Sequence, residues 1–450
     1  MNIARRIAGP LRATALVTAV ALLPATTAGF AEVEGSASPE FAKLFATYQR
    51  IKASYVEPVD DDVLIRGAID GMLAALDPHS AYLDGAALER LETMIDGNYQ
   101  GLGISVQMDD GAVKVVSPFK GSPAEKAGIK AGDYITHLNG NLIYGLDLDD
   151  AVAQMRGPAG STVDLRLYRP GRDEPVEVTV TRGLIELEPV TWEIKDGGVG
   201  VISVNEFSRD VGKDVNSAIT DLRSKAGGKL TGLVLDLRKN PGGSLDEAVA
   251  LSDLFLSNGV IVSQRGRTKK DTIYYDAESY YRGEAAPGVP MIVLIDAGSA
   301  SASEIVAGAL QDQHRALVMG ERSFGKGSVQ TLLPITRDAA LKLTTARYYT
   351  PSGRSVQEGG IEPDIRVPQL SDPDAAKREK FALRESDLRG HLINEIKLED
   401  KDLENDAKPD PRFTATAEEL EKEGITDFQL DYALKTLRRT GARTAVAARN

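Results

Sequence analysis

Between residues 39 and 94 the apolar positions recur at helical spacing. Phe41, Leu44, Phe45, Tyr48 and Ile51 line one face, and Val63 to Leu76 forms a second run that stops before Asp77-Pro78. A 3.6-residue period predicts amphipathic helices, because only that spacing gathers apolar side chains into one stripe. From about 96 to 184 the period falls to two. Gly101-Leu102-Gly103-Ile104-Ser105-Val106 opens a strand, and Asn139-Gly140 predicts a tight hairpin turn. Val163, Leu165 and Leu167 alternate with polar residues, as do Val176, Val178 and Val180 beyond the Pro170-Gly171 turn, which predicts half-buried antiparallel strands. Two short helices interrupt this stretch: one from Ser122-Pro123-Ala124 to Gly128, the other from Leu148 to Arg156 with Asp147 as N-cap.

From 198 to 368 the pattern becomes α/β. Val199–Val204, Leu230–Leu237, Met291–Ile295 and Ala316–Met319 are near-continuous apolar strands, as in a sheet covered on both faces. Ser244–Leu256 and Ser301–Leu310 are the helices between them. Beyond 370 the chain is charge-rich with helical tendency, and Phe428, Leu430, Ala433, Leu434 and Leu437 make an apolar stripe. That stripe suits a docking or oligomerisation helix and equally a helix packed on its own domain. Asp60-Asp61-Asp62 and the Lys/Glu-rich stretch near 377–405 are expected to face solvent.

At 450 residues, 42% of them hydrophobic, the chain has the length for several domains and the apolar content of a globular protein. It has no cysteine, which excludes disulfides, thiolate metal sites and a thiol nucleophile together. Its four histidines (His79, His137, His314, His391) show no metal-site spacing, so neither metal nor cofactor is expected. The net charge of −13 disfavours nucleic acid as a partner. At the start, Arg5, Arg6 and Arg12 precede the apolar run Ala13–Leu23, and Gly29-Phe30-Ala31 offers small residues for cleavage. This reads as a signal peptide over 1–31, since eleven apolar residues span only about 17 Å as a helix. Its removal takes three arginines and shifts the charge from −13 to −16. Export to a bacterial periplasm is the expectation, with membrane contact only through the signal peptide or a partner.

Candidate chemistry lies at three turns. Gly298-Ser299-Ala300-Ser301-Ala302-Ser303-Glu304 joins a buried strand to a helix, where a serine hydroxyl sits at the positive end of the macrodipole. Ser301-x-x-Glu304 is also the signature of a capping box, and spacing alone does not choose among the three serines. No histidine is well placed as a base, since His314 falls near the far end of that helix. The remaining candidate is Lys326, set in Gly325-Lys326-Gly327-Ser328-Val329-Gln330; a neutral lysine needs a dry pocket, and the flanking glycines permit close backbone approach. If the segment is extended, Gln330 faces the same side and can hold the amine. Gly320 to Lys326 imitates a phosphate loop, but Gly327 stands where Ser or Thr is required and a strand follows. Asp236-Leu237-Arg238-Lys239-Asn240-Pro241-Gly242-Gly243 ends the second core strand; the N–H of Gly242, with that of Ala302, would form an oxyanion hole, whereas the bland reading is a turn that needs glycine.

The segment from Gly101 to Ile104, followed by Ser122 to Asp133, resembles a PDZ domain. In that resemblance Gly101, Leu102, Gly103 and Ile104 form the carboxylate-binding loop, and a bound peptide adds a strand to the sheet edge. Together with Leu76 to Leu83, Asp236 to Gly243, Ser299 to Ile305 and Gly325 to Gln330, it resembles the carboxy-terminal processing peptidases, the tail-specific Ser-Lys proteases of family S41, over roughly 39–368. The resemblance implies an α/β multidomain protein: signal peptide 1–31, N-terminal helical region 39–95, inserted PDZ β domain 96–184, protease core 185–370 of the ββα-superhelix (crotonase- and ClpP-like) type, and charged helical C-terminal region 371–450. It makes Ser301 the nucleophile, Lys326 the general base and Gln330 its orienter. It implies a serine endopeptidase that cleaves unfolded or extended proteins near their C-termini, in some relatives with an adaptor protein, and a homo-oligomer is a further candidate assembly. The alternatives are an inactive PDZ scaffold and a crotonase-like acyl-thioester enzyme.

Overall fold

The computed structural model describes residues 38–447 except 110, 120, 147, 173, 187, 278–280, 282–283, 374–383 and 396–411. The signal segment, the Asp147 cap and much of the Lys/Glu-rich stretch lie outside the described residues. The chain divides into two compact units, residues 1–69 and 70–450.

In the first unit, helix α1 (Pro39–Ser54) begins where the Ser38 hydroxyl accepts the Phe41 N–H at 3.2 Å, with proline in the first turn where its missing N–H costs nothing. Helix α2 (Asp61–Ala74) starts here, and Asp61 receives the Tyr48 hydroxyl at 2.7 Å and the Lys52 amine at 2.8 Å. The predicted stripe on α1 is present, but none of its residues is buried.

The second unit opens with a departure from the all-helical expectation for 39–95. After Asp77-Pro78, where proline disfavours helix in the residue before it, strand β1 (Ala81–Asp84) pairs antiparallel with residues 339–342, and helix α3 (Gly85–Asp96) follows. Local periodicity cannot reveal a four-residue strand whose partner lies some 260 positions away.

Strand β2 (Asn98–Gly101) leads into the β domain: β3 (Ile104–Asp109), β4 (Ala112–Pro118), helix α4 (Pro123–Lys126), β5 (Tyr134–Leu138), β6 (Asn141–Leu142), helix α5 (Leu148–Met155), β7 (Thr162–Tyr168) and β8 (Val176–Thr181). The sheet order is β3-β4-β5-β7-β8, with β6 paired to β5, so one edge of β3 is open. The predicted alternation is realised between β7 and β8, where Leu165 faces Val178, and Val163, Leu165, Leu167 and Val180 are buried. Strand β9 (Gly183–Glu186) returns beside β2 and closes the excursion.

The core is a six-stranded sheet of β10 (Val190–Lys195), β11 (Val199–Val204), β12 (Gly232–Asp236), β15 (Met291–Ile295), β16 (Leu317–Gly320) and β19 (Ile365–Arg366), in that order and parallel after the first pair. Helices α6 (Val211–Lys225), α7 (Leu245–Asp253) and α8 (Ala302–Asp312) cover one face, where Leu233, Leu235, Val293 and Ile295 meet Val215, Ile219, Leu222 and Val306. The opposite face carries Val201, Val234, Ile292 and Leu294. It is covered by the C-terminal helix: α9 (Ala417–Lys422) is followed by α10 (Phe428–Ala447), whose Ala433 and Leu437 close this second cluster. The apolar stripe near residue 430 is therefore a helix packed on its own domain. A second sheet joins β1 to β18 (Ala339–Tyr349), β13 (Val260–Arg265) and β14 (Thr272–Asp276), with β17 (Ser328–Pro334) on the other side of β18.

Candidate active site

Three turns meet at the carboxyl ends of β12 and β15. The first carries Ser299, Ser301 and Ser303, and its three serines have different fates. The Ser299 hydroxyl donates to Leu237 O at 2.8 Å and accepts the Asp296 N–H at 2.9 Å; the Ser303 hydroxyl donates to Asn240 O at 2.9 Å. Both side chains are fully buried and pin the Asn240 turn in place. Ser301, partly exposed, stands at the N-cap of α8 with φ 56° and ψ −113°. A non-glycine residue there costs about 1–3 kcal/mol and persists only when its surroundings over-determine it.

The surroundings do so. The Ser301 N–H donates to Glu304 Oε2 at 2.7 Å, which realises the side-chain arm of the capping box, and the Ala300 N–H donates to Asn240 O at 3.0 Å. Glu304 is fully buried and takes three more donors: the Ser323 hydroxyl at 2.6 Å, the Gly325 N–H at 2.7 Å and the Lys326 N–H at 3.0 Å. The capping box of α8 and the anchoring of the Lys326 loop are thus one set of bonds. Burial pushes the Glu304 carboxyl up to about 7 despite these four donors.

The second turn carries Gly242. A Cβ on Gly242 would stand 2.8 Å from Ala300 O, 2.8 Å from Ser301 Cβ and 3.0 Å from the Ala302 nitrogen, and its φ is 102°. Both space and backbone demand glycine, and the turn abuts Ser301. One expectation is corrected: the Gly242 N–H donates to Asn240 Oδ1 at 2.9 Å, so in this arrangement it is occupied, while Asn240 Nδ2 is anchored on Val204 O at 2.8 Å. The Ala302 N–H has no acceptor among the described residues, as befits the first turn of a helix.

The third turn presents Lys326. Its loop is held by Glu304, by Gln357, whose Oε1 accepts the Gly327 N–H at 3.0 Å, and by Tyr348, whose hydroxyl donates to Lys326 O and faces the Ser301 hydroxyl. Burial first, and then the Lys342 charge, push the Lys326 amine below its usual range, against the opposing pull of Glu385, Glu304 and Asp77. Among the described residues no hydrogen bond joins this amine to Ser301. Nor does Gln330 hold it: the Gln330 amide donates to Ser328 Oγ at 3.0 Å and Thr344 Oγ1 at 3.2 Å. The extended-strand premise fails because Lys326 precedes β17, and the β17–β18 register shifts between Val329 and Gln330.

Several residues around the base were not singled out for this role in the sequence. Asp77 accepts the His79 and Ser80 N–H groups, the Ser80 hydroxyl and the Thr344 hydroxyl, so the Asp-Pro-His-Ser turn buttresses Gln330 through Thr344. Glu385, from the C-terminal region, pairs with His79 at 2.9 Å and receives Gln357 Nε2 at 3.0 Å. Burial acts to raise its carboxyl, but these donors outweigh it and hold it below its usual range. A cavity of about 1110 Å³ borders this network, lined by Asp77, Arg265, Thr344, Arg347 and Tyr349 among others. The Asp-Leu-Arg motif has its own partners: Arg238 bonds Asp236 at 2.6 Å and Asp427 at 2.7 Å, tying the second turn to the start of α10.

In the β domain, Gly101 ends β2, Leu102 is buried in the domain core, Gly103 adopts φ 74° and Ile104 starts the open-edged β3. A Cβ on Gly103 would meet Ser122 Cβ at 2.5 Å, which explains why the loop packs against the Ser122-Pro123 turn only with glycine there.

A β domain with an open edge, and a serine at a strained strand-to-helix turn whose capping glutamate also holds the loop of a half-buried lysine, define a serine-type peptidase with a peptide-binding module. Comparison with known proteins agrees. The models of peptidase family S41, the PDZ domain and the activating protease CtpB N-terminal domain match residues 198–367, 100–180 and 23–87. A carboxy-terminal-processing protease of Bartonella bacilliformis is 44% identical over 78% of this chain and 80% of its own length. The carboxy-terminal processing protease CtpB of Bacillus subtilis is 36% identical over 83% of this chain and 76% of its own length. Among solved structures, the photosystem II D1 C-terminal processing protease is 30% identical, covering 74% of this chain and 94% of that one, with a TM-score of 0.44. The chain belongs to the carboxy-terminal processing proteases of peptidase family S41 and carries a PDZ domain.

Proposed function

We propose that this protein is an exported, periplasmic endopeptidase that cleaves extended polypeptides near their C-termini by a Ser-Lys mechanism. The observation that carries the reading is the sorting of the three serines: Ser299 and Ser303 are committed to backbone carbonyls, and Ser301 is presented at the α8 N-terminus beside the Ala302 N–H, which has no acceptor among the described residues. Neutral Lys326 accepts the Ser301 proton as Oγ attacks a backbone carbonyl. The oxyanion is met by the Ala302 N–H and the α8 dipole, with Gly242 joining once its N–H turns from Asn240. Collapse of the adduct breaks the C–N bond, the Lys326 ammonium protonates the leaving amine, and water then hydrolyses the acyl-enzyme. Gln330 and Asp77 act through Thr344 to hold the wall beside the base. The substrate's terminal carboxylate is received by Gly101–Ile104, and an adaptor or a second copy of the chain are further partners of this reading.

The test is to incubate the purified protein with an unfolded substrate and identify fragments by mass spectrometry. Fragments released from the C-terminal end support the reading. Intact substrate under conditions where the PDZ domain binds it would mark a capture protein instead.

A further inference from the structure

Every backbone N–H and C=O of Gly325, Lys326 and Gly327 has a partner. Glu304 takes the Gly325 and Lys326 N–H groups, and Tyr348 donates its hydroxyl to Lys326 O and its N–H to Gly327 O at 3.0 Å. The Glu358 N–H donates to Gly325 O at 2.8 Å, and Gln357 Oε1 accepts the Gly327 N–H at 3.0 Å. Gln357 and Glu358 lie hard against the loop: a Cβ on Gly325 would stand 2.7 Å from Glu358 O, and one on Gly327 2.5 Å from the Gln357 nitrogen. Among these anchors the Gln357 side chain is an amide, with one end that accepts and one that donates. Turned the other way, it would set an NH2 group against the Gly327 N–H. What fixes its direction lies beyond β19, in residues 384–394. Gln357 Nε2 donates to Glu385 Oε1 at 3.0 Å and to Leu392 O at 2.9 Å, two groups that accept. Glu385 is fully buried, with His79 Nε2 2.9 Å from both of its oxygens. The same segment is fastened to the loop again where Asn394 Nδ2 donates to Gln357 O at 2.7 Å, the Asn394 N–H donates to Glu358 Oε2 at 2.8 Å, and His391 Nε2 lies 2.8 Å from Glu358 Oε1.

We infer that Gln357 and Glu385 are positioning residues for the proposed base: the carboxylate sets the direction of the amide, the amide holds Gly327, and residues 384–394 thereby belong to the machinery that places Lys326. The inference rests on the reading of Lys326 as the general base. An ionised carboxylate only accepts, so Glu385 draws the NH2 end of Gln357 toward itself and leaves Oε1 facing Gly327. Both side chains are fully buried, out of reach of substrate. Glu385 acts through Gln357, and Gln357 through the backbone beside the lysine. Substitution at either position therefore acts on the chemical step and leaves substrate binding alone. Because a buried N–H without an acceptor is costly, the loop moves to find one when Gln357 is lost, and the amine moves with it.

The experiment measures kcat and KM for one unfolded substrate across pH in the full chain and its variants, with thermal unfolding as a control on the fold. Gln357→Met keeps the volume and orphans the Gly327 N–H; it is expected to lower kcat roughly tenfold with KM within about twofold of the parent. Glu385→Gln offers an N–H where the carboxylate only accepted and lets Gln357 turn, so kcat at the optimum falls several-fold. Added to Gln357→Met it costs nothing further, since no amide is left to direct. Gln357→Glu keeps size and acceptor, but facing Glu385 it reproduces the amide's pattern only while the two carboxylates share a proton. Its kcat is expected to fall again as pH rises and that proton leaves, a limb the parent lacks and a role in packing would not create. Where Gln357→Met does not fold, this profile decides alone. A folded Gln357→Met protein with the parent's kcat or with only a raised KM, a Gln357→Glu protein with the parent's pH profile, or a double variant whose losses multiply overturns the inference while Lys326→Ala stays inactive. Full cleavage by a folded Lys326→Ala protein overturns the reading of the base, and the inference with it.

Discussion

A single carboxylate oxygen of Glu304 accepts the Ser301 N–H at 2.7 Å and the Lys326 N–H at 3.0 Å, so the backbones of the proposed nucleophile and base hang from one buried atom. Ser301 is held in a strained conformation by that bond, and the base loop is positioned relative to it by the same group.

Replacing Glu304 with Gln removes the charge and turns one acceptor oxygen into a donor that faces N–H groups. Lost charge-assisted hydrogen bonds of about 1.5–3 kcal/mol predict a 10- to 100-fold fall in kcat with little change in KM. Steady-state kinetics on a peptide substrate checks this, and a raised KM with kcat retained would assign Glu304 to substrate binding instead.

Glu304 also gives opposite pH dependences to activity and stability. Its carboxyl is raised in the folded state to about 7 from an ordinary 4.5, so its contribution to stability is fully present below about 4.5 and is lost as pH rises through about 7. The ionised form is the one that accepts the four donors, so activity is expected to fall as pH drops below about 7. Denaturant midpoints and kcat measured across pH 4 to 8 should therefore move in opposite directions, and a parallel fall of both with acid would contradict this assignment.

The charge around Lys326 predicts two opposite shifts. In the proposed mechanism the neutral amine is the base, so activity is expected to rise with pH through its lowered pKa. Lys342→Met removes a positive neighbour and moves that limb to higher pH; Glu385→Gln removes a negative one and moves it to lower pH. Profiles of kcat/KM against pH report both. If neither variant displaces the limb, Lys326 is not the titrating group.

Asp427 anchors α10 to the Asp-Leu-Arg motif. Its carboxyl, which burial would raise, is brought down to about 2 by Arg238, from an ordinary 3.8; its stabilisation is present above about 3.8 and lost as pH falls toward 2. Asp427→Asn is expected to cost about 1–3 kcal/mol at pH 7, with the gap to the parent closing near pH 2. Urea unfolding at the two pH values reads it directly. Leu437→Ala, at the interface of α10 with the parallel sheet, is expected to cost about 2–5 kcal/mol with a lower unfolding temperature.

The candidate residues were legible because each sits at a turn with a local signature: a strand, then Ser-x-x-Glu, or lysine between glycines. The two-residue period gave β7 and β8, and the apolar runs gave β11, β12 and β15. What sequence could not give was relation across the chain. Glu304 reads as a cap, and nothing near it says that the same carboxylate binds Gly325 and Lys326 some twenty residues on. His79 and Glu385 are about three hundred positions apart, and the partner face of α10 is assembled from strands between 199 and 319. Gln330 failed as a direct contact to the lysine because parity arguments hold only within an unbroken strand. Gly242 lies against Ser301, yet its N–H is spoken for by Asn240, a neighbour two residues away whose side-chain direction no pattern reveals.

The central claim is that Ser301 attacks and Lys326 takes its proton. The most direct measurement compares the parent protein with Ser301→Ala and Lys326→Ala on one unfolded substrate, by mass spectrometry of the products, with thermal unfolding as a control on the fold. Loss of all fragments in both variants, with unfolding temperatures within a few degrees of the parent, is the predicted result. Full cleavage by a folded Lys326→Ala protein would contradict it.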